Sequence, residues 1–318
     1  MDVSFRAMAQ GWAQAWLAIF CLVSCAREPD RPELRDPPIE VQLRYHFASE
    51  RLLADHLENG WVVTRKPDGT PEHTGEGLLW SGVALASLTC EDGAAIEDML
   101  IATVTRLDGA LVRYEPLGEY EGGREVTLDG AIGFWRGVAH RVVSCPGSAE
   151  KWTPAVKLHL DYVERSKGRL HPNAKAVLPP GFDYVLHLLG HRLGLSGLPS
   201  GDTLDGLRTA LALWAKATID NRKPCYRVHL GLLMLESVEA LGVGVSRETF
   251  CIASKGAGMP LVDHYCGVEQ PLLDWVDNFE FNRFEFAHQR CYYETESVGD
   301  DQTPGLDFLV GVKHAYRI

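Results

Sequence analysis

Apolar residues recur at three- and four-residue spacing along most of the chain, a pattern that predicts amphipathic helices. Between residues 226 and 242, Val228, Leu232, Leu235 and Val238 form one apolar stripe. The spacing predicts helices over 40–58, 76–89, 92–107, 127–144, 150–166, 182–194, 204–220, 226–242, 262–266, 270–283, 285–293 and 305–316. Only 61–65 and 111–115 are typical of strands, and both are short. The pattern therefore predicts an all-α fold.

The predicted helices are of two kinds that alternate along the chain. One kind is rich in Gly, Ala, Leu and Val and comprises 76–89, 127–144, 182–194, 226–242 and 305–316. The other kind carries charge along its length and comprises 92–107, 150–166 and 204–220. Because a helix that is apolar all round is buried and one with a polar face lies outside, the alternation predicts helical hairpins arranged as an α/α toroid. A stacked solenoid or an irregular bundle would give a similar pattern.

The first 38 residues differ from the rest of the chain. After Arg6, residues 11–24 form an apolar stretch of signal-peptide length that is too short for a confident membrane span. It ends in Leu22-Val23-Ser24-Cys25, which resembles the lipobox of bacterial lipoproteins. The resemblance implies cleavage after residue 24 and a lipid on Cys25. Residues 26–38 are polar and rich in proline, as expected for a spacer.

We accordingly divide the chain into a signal peptide (1–24), a lipidated cysteine with its spacer (25–39) and a single helical domain (40–318). An ordinary cleaved signal or an uncleaved anchor is the alternative interpretation of the first segment. The lipobox resemblance implies an exported protein whose partner is a lipid bilayer. The residue after Cys25 is not Asp, which favours the outer membrane as its destination.

Composition and cysteine content agree with export. The chain has 318 residues and a net charge of −12, without the basic clusters of a nucleic-acid-binding protein. Six cysteines follow Cys25, and an even number in an exported chain predicts disulfides. We expect Cys90 to pair with Cys145, since each ends a predicted helix, and the other four to pair among themselves. Those four are Cys225, Cys251, Cys266 and Cys291.

Polar residues cluster at the starts of the apolar helices, which in a toroid would converge on one funnel. Helix starts favour carboxylates and anions, and carboxylates that share a cleft can divide acid and base roles. We take Glu76, Asp129 and Asp183 as candidate catalytic residues. The candidate substrate-binding residues are His73, Trp80, Arg124, Trp135, His229 and Asp307. Each carboxylate has the alternative role of a helix cap or a structural ion pair, and each Trp that of a core residue.

A metal site is the competing possibility. His187 and His191 lie four residues apart on one predicted helix, the spacing at which two imidazoles can bind one metal. The motif HLLGH lacks the glutamate that zinc proteases place next to the first histidine. We therefore expect neither a metal nor another cofactor. The absence of a P-loop, a dinucleotide motif and a GxSxG elbow disfavours nucleotide-dependent and serine-esterase chemistry.

The predicted architecture resembles, in outline, the helical-barrel glycosidases and polysaccharide lyases. This resemblance extends over most of the chain but includes no catalytic motif of one family. It implies a glycoside hydrolase or lyase that acts on a glycan or another cell-envelope polymer. The alternative is a non-catalytic envelope lipoprotein that binds a glycan or a protein partner.

Overall fold

The computed structural model describes residues 34–65, 70–72, 77–114, 126–172, 177–179, 181–197, 204–212, 226–245, 247–255, 259–277 and 306–318. These residues are mostly helical, which confirms the all-α fold class. The first helices are α1 (Ile39–Asp55), α2 (Gly77–Ser87), α3 (Ala94–Arg106), α4 (Leu128–Ser144), α5 (Ser148–Arg165) and α6 (Tyr184–Arg192). The remaining helices are α7 (204–212), α8 (Tyr226–Ala240), α9 (Glu248–Ser254), α10 (Pro260–Tyr265), α11 (Gln270–Asp277) and α12 (Leu306–Ala315).

Four two-residue strands form two antiparallel pairs between α1 and α2. Strand β1 (Leu57–Glu58) pairs with β2 (Trp61–Val62), and β3 (Thr64–Arg65) pairs with β4 (Pro71–Glu72). The predicted strand over 61–65 is thus present as β2 and β3. The prediction of a strand over 111–115 was wrong within the described residues, because 111–114 form no ladder.

Helices α2 and α4 pack closely at the centre, and glycines make this possible. A Cβ atom added at Gly133 would lie 2.6 Å from the carbonyl oxygen of Leu79, and one at Gly137 would lie 2.7 Å from that of Gly82. Since Leu79 lies opposite Gly133 and Gly82 opposite Gly137, the two helices run in the same direction. Their glycines allow backbone to approach backbone where any side chain would intrude.

Helix α8 also packs against α4, and two pairs of charges show that it runs in the same direction. Near its start, the charge of Arg227 acts on Asp129 in the first turn of α4. Near its end, Glu236 forms an ion pair with Arg136, two turns further along α4. The starts of α2, α4 and α8 therefore lie at one end of the molecule, and their last turns lie at the other end.

The buried apolar side chains form one continuous core that extends from α1 to α12. The apolar helices contribute most of their residues to it: ten of the eleven residues of α2 are buried, whereas α5 buries one face only. This difference confirms the predicted contrast between apolar and charged helices in these two cases. It follows from the hydrophobic effect, which removes an all-apolar helix from water on every side.

Two disulfides connect elements of this core. Cys90 bonds to Cys145, which confirms the predicted pair and joins the segment after α2 to the end of α4. Cys251 in α9 bonds to Cys266 at the end of α10. This second bond lies within the set of four cysteines that were expected to pair among themselves. Cys25, Cys225 and Cys291 lie outside the described residues.

Candidate functional site

Asp129 lies in the first turn of α4, where the starts of three helices meet. The hydroxyl of Thr127 caps this helix by accepting a hydrogen bond from the Gly130 amide. The cap is thus Thr127, which leaves the Asp129 carboxyl available for another role. Arg227 comes from the first turn of α8, and the carbonyl of Arg113 accepts a hydrogen bond from the amide of Leu78 in α2.

The surroundings of Asp129 shift the pKa of its carboxyl upward. Burial raises the pKa of this carboxyl above its usual value, against the opposing effects of a backbone hydrogen bond and of Arg113 and Arg227. Burial is decisive because transfer of a carboxylate away from water costs more than these partners return. A carboxyl group with a raised pKa is suited to act as a general acid.

Asp183, the second candidate carboxylate, forms an ion pair near the surface. Its Oδ2 atom lies 3.4 Å from Nε2 of His187, one helical turn further on. The hydrogen bond with His187 lowers the pKa of Asp183, and the same bond raises the pKa of His187. No described contact joins this pair to Asp129. Asp183 is thus paired with a neighbour on its own helix.

The two candidate tryptophans are core residues. Trp80 has 7% of its surface exposed and Trp135 none. The indole nitrogen of Trp135 donates a hydrogen bond to Nε2 of His159, whose Nδ1 bonds to the carbonyl of Gly109. Because Trp135 is completely enclosed, its position corrects the expectation that the ring stacks on a sugar.

Several other candidates lie outside the described residues. They are His73, Glu76, Arg124 and Cys25, together with the side chain of Asp307. His229, in contrast, is described and lies inside the molecule, in the first half of α8. Its pKa is lowered to about 3, chiefly by burial and also by the charge of Arg136, while Glu236 opposes both. His229 is therefore neutral at physiological pH.

A buried charged cluster, which sequence reasoning missed, lies two turns beyond His229. Glu236 of α8 has 5% of its side chain exposed, and its two oxygens have different partners. Oε2 lies 3.4 Å from Nε of Arg136 in α4, and Oε1 lies 2.8 Å from Nε2 of His314 in α12. The arginine also donates to the carbonyl of Val83 in α2. This Arg136–Glu236–His314 cluster thus connects four of the five apolar helices, namely α2, α4, α8 and α12, at their C-terminal halves.

A cavity of about 910 Å³ lies beside this cluster. The last turns of α2, α4, α8 and α12 line it. Its polar wall includes Arg136, His140, Glu236, Glu239, Lys313 and Tyr316. The volume is within the range of about 300–1,000 Å³ that is usual for ligand pockets. The cavity lies at the opposite end of these helices from Asp129, whereas the sequence placed the site at the helix starts.

Both carboxylates of the cavity already interact with positive or donor groups. Glu236 is held by Arg136 and His314, as described above. Glu239 accepts two hydrogen bonds from Arg247, at 2.8 and 2.9 Å, and one from the hydroxyl of Tyr265 at 2.9 Å. Lys313, whose pKa is lowered by burial, donates to the carbonyl of Ile318. Both carboxylates of the cavity are therefore paired with other side chains, and basic side chains lie near them.

Neither a metal site nor a membrane span is formed by the described part of the chain. Within it, no three His, Cys, Asp or Glu side chains are arranged to hold a metal ion. His187 and His191 accordingly have no third ligand there, and His187 is paired with Asp183. Among the same residues, no helix combines the length and apolar character that crossing a membrane requires.

Comparisons with protein-family models, with curated proteins and with solved structures gave no match. Functional inference therefore depends on the geometry of this chain's own residues. One sequence signal could have indicated the buried cluster. Arg136 and Glu236 each follow a run of apolar residues near the middle of their helices, and a charge in such a position must find a partner inside the protein.

Proposed function

We propose that this protein is an exported lipoprotein, attached to the cell envelope through a lipid on Cys25, whose helical domain binds a glycan or another envelope polymer without cleaving it. One observation carries the proposal: the cavity of about 910 Å³ at the helix ends contains two carboxylates, and both are engaged by other side chains. A binding site of this composition offers a ligand hydrogen-bond donors and positive charge.

The state of the carboxylates separates binding from catalysis. Most glycosidases use two carboxyl groups, one that donates a proton and one that acts as base or nucleophile. Glu236 is charge-paired and buried, and Glu239 accepts three hydrogen bonds, so neither is positioned for such a role. His140 and Lys313 of the cavity wall instead complement the hydroxyl and carboxylate groups that an acidic glycan presents.

We further propose that the helices form an α/α toroid. Its support is the shared direction of α2, α4 and α8, with starts near Asp129 and last turns at the cavity. In a toroid these would be the inner helices, and the more polar α3 and α5 would lie outside. The lipid anchor is supported by the sequence Leu22-Val23-Ser24-Cys25.

The binding proposal is tested with a polysaccharide panel and two matched variants. His140→Ala removes a side chain from the cavity wall, whereas His187→Ala removes a half-buried histidine on α6, away from the cavity. We expect the wild-type protein and His187→Ala to bind the same polymer, and His140→Ala to bind it at least about tenfold more weakly, equivalent to about 1.4 kcal/mol. Equal affinity of all three proteins would show that the ligand does not occupy this cavity.

A glycoside hydrolase or lyase is the second candidate, and the environment of Asp129 favours it. Burial raises the pKa of this carboxyl, and two arginines lie near enough to influence it. If the protein is an enzyme, wild type should cleave one polymer of the panel and Asp129→Asn should cleave it at least about a hundredfold more slowly. Absence of cleavage by the wild-type protein across the panel would refute the enzyme candidate, and binding would be the remaining proposal.

The anchor has its own test. Expression in a bacterial host should place the wild-type chain in the membrane fraction, with a diacylglyceryl modification on the peptide that begins at Cys25. The Cys25→Ser variant should lose this modification. An unmodified Cys25 in the wild-type protein would refute the anchor without affecting the binding test.

A further inference from the structure

Helix α1 has an exposed apolar stripe on one side. Ile39, Leu43 and Phe47 follow one another at four-residue steps and are 69%, 64% and 53% exposed. Residues at this spacing lie on the same side of a helix, so the stripe is continuous over about 12 Å. Single exposed apolar residues are common on soluble proteins, whereas contiguous ones mark interaction surfaces.

The stripe is held outward because the other side of α1 is fixed to the core. Val41, Tyr45 and Leu52 are buried on that side, and the Tyr45 hydroxyl donates a hydrogen bond to the carbonyl of Ser87. Arg44 donates to the carbonyls of Val276 and Asp277 at the end of α11. These contacts hold α1 in register, so turning its apolar stripe inward would require breaking them.

The sequence between the lipid and α1 indicates what the stripe faces. Arg35 is held on the domain by a bridge to Tyr316 and an ion pair with Glu269. Residues 26–34 therefore separate Cys25 from the folded domain, and a chain of this length spans at most about 30 Å. A domain of this size has a diameter of about 45–50 Å. The spacer is therefore shorter than the diameter of the domain. This length keeps the first turn of α1 near the bilayer surface.

We propose that the stripe on α1 contacts the lipid bilayer that carries the anchor, so that α1 lies along the membrane surface and orients the domain. This inference rests on the proposed lipid at Cys25. The residues fit the acyl boundary, where Leu, Ile and Phe of interfacial helices are buried. The exposed neighbours Glu40, His46 and Glu50 supply no excess of positive charge. The contact is thus apolar, and it depends on the lipid anchor and its spacer to keep α1 close to the bilayer.

The test uses the full lipidated chain in vesicles of phosphatidylethanolamine and phosphatidylglycerol, with and without brominated acyl chains. Leu43→Trp places a reporter in the stripe. Ile252→Trp is the matched control, because Ile252 is 68% exposed on α9. We expect the emission added by Trp at position 43 to fall by about half or more in brominated vesicles. The emission added at position 252 should not change.

Three results would overturn the proposal. Equal quenching at positions 43 and 252 would show that the stripe has no preferred contact with lipid. Loss of self-association in the Leu43→Glu variant, measured by sedimentation in detergent, would identify a second copy as its partner. Quenching at position 43 that requires phosphatidylglycerol would indicate electrostatic and not apolar binding. A mass measurement on Cys25 separates these outcomes from failure of the anchor itself.

Discussion

Glu97 illustrates how single buried charges stabilise this protein. Its side chain is 3% exposed, lies 3.1 Å from Arg141 and accepts a hydrogen bond from the Trp152 indole at 2.8 Å. Burial alone would raise the pKa of this carboxyl, but hydrogen bonds from Ser148, Arg141 and Trp152 outweigh it and lower the pKa. The folded state therefore stabilises the charged form of Glu97, which is the counter-charge of the buried Arg141.

Glu97→Gln should accordingly lower the free energy of unfolding by about 3 kcal/mol at pH 7, because it leaves the Arg141 charge buried without its counter-charge. Urea denaturation measures this loss. Asp98→Asn is the control, since Asp98 is 68% exposed and pairs only with Lys151 at the surface. A surface pair of this kind contributes at most about 1 kcal/mol. Equal effects of the two variants would contradict the assigned role of Glu97.

Buried histidines predict a pH dependence of stability in the acidic range. Burial lowers the pKa of His159 to about 4 and that of His229 to about 3. Below pH 6.5 the unfolded chain binds protons at these histidines while the folded protein does not. The stability that these histidines contribute above their pKa in the unfolded chain, about 6.5, is therefore lost as the pH falls toward 4. Each histidine contributes about 1.4 kcal/mol per pH unit in this window.

His159→Gln tests this contribution. The amide can accept the hydrogen bond from Trp135 and donate to Gly109, so it preserves the contacts of His159 without its titration. Between pH 6 and 5, the slope of the unfolding free energy should decrease by about 1.4 kcal/mol per pH unit. His187→Ala, which changes a half-buried histidine of raised pKa, should not reduce this slope. An unchanged slope in His159→Gln would show that His159 titrates normally.

At the scale of the helices, close packing of α2 on α4 is the feature most sensitive to substitution. Gly133→Ala would place a Cβ atom 2.6 Å from a backbone carbonyl of α2. Overpacking against backbone costs about 3 kcal/mol or more, because the helices must separate. Gly206→Ala on α7 is the control, since nothing lies within 4 Å of the added atom. There we expect a gain of up to about 1 kcal/mol. Thermal or urea unfolding would measure both changes.

The helices themselves could largely be predicted from the sequence, and their ends show why. The predicted range 127–144 differs by one residue from Leu128–Ser144, because Thr127 is a strong cap and the apolar spacing is regular. The seven-residue helix Glu248–Ser254 was missed, since it is too short to establish a periodic pattern. Leu111, Val112 and Tyr114 are buried without forming a strand. Burial explains why these residues are apolar, a composition that by itself suggested a strand.

The candidate site was less predictable than the helices, because it depends on which helix ends meet. The sequence placed Asp129 and Asp183 at helix starts, and both are there. It could not show that Asp183 pairs with its own helix neighbour His187, nor that the large cavity lies at the opposite helix ends. Those facts follow from the packing of α2, α4, α8 and α12, which no local pattern specifies.

At the scale of the whole molecule, the two disulfides among the described residues link its stability to the compartment in which it folds. Cys90 and Cys145 are 55 residues apart, and Cys251 and Cys266 are 15 apart. In the chain-entropy model, closing loops of these lengths contributes about 4 and about 3 kcal/mol. The Cys90→Ala/Cys145→Ala variant should therefore lose more stability in urea denaturation than Cys251→Ala/Cys266→Ala.

Reduction of the wild-type protein should lower its stability by at least the larger of these amounts. A protein that is equally stable when oxidised and reduced would not need an oxidising compartment, and the case for export would then depend on the N-terminal sequence alone.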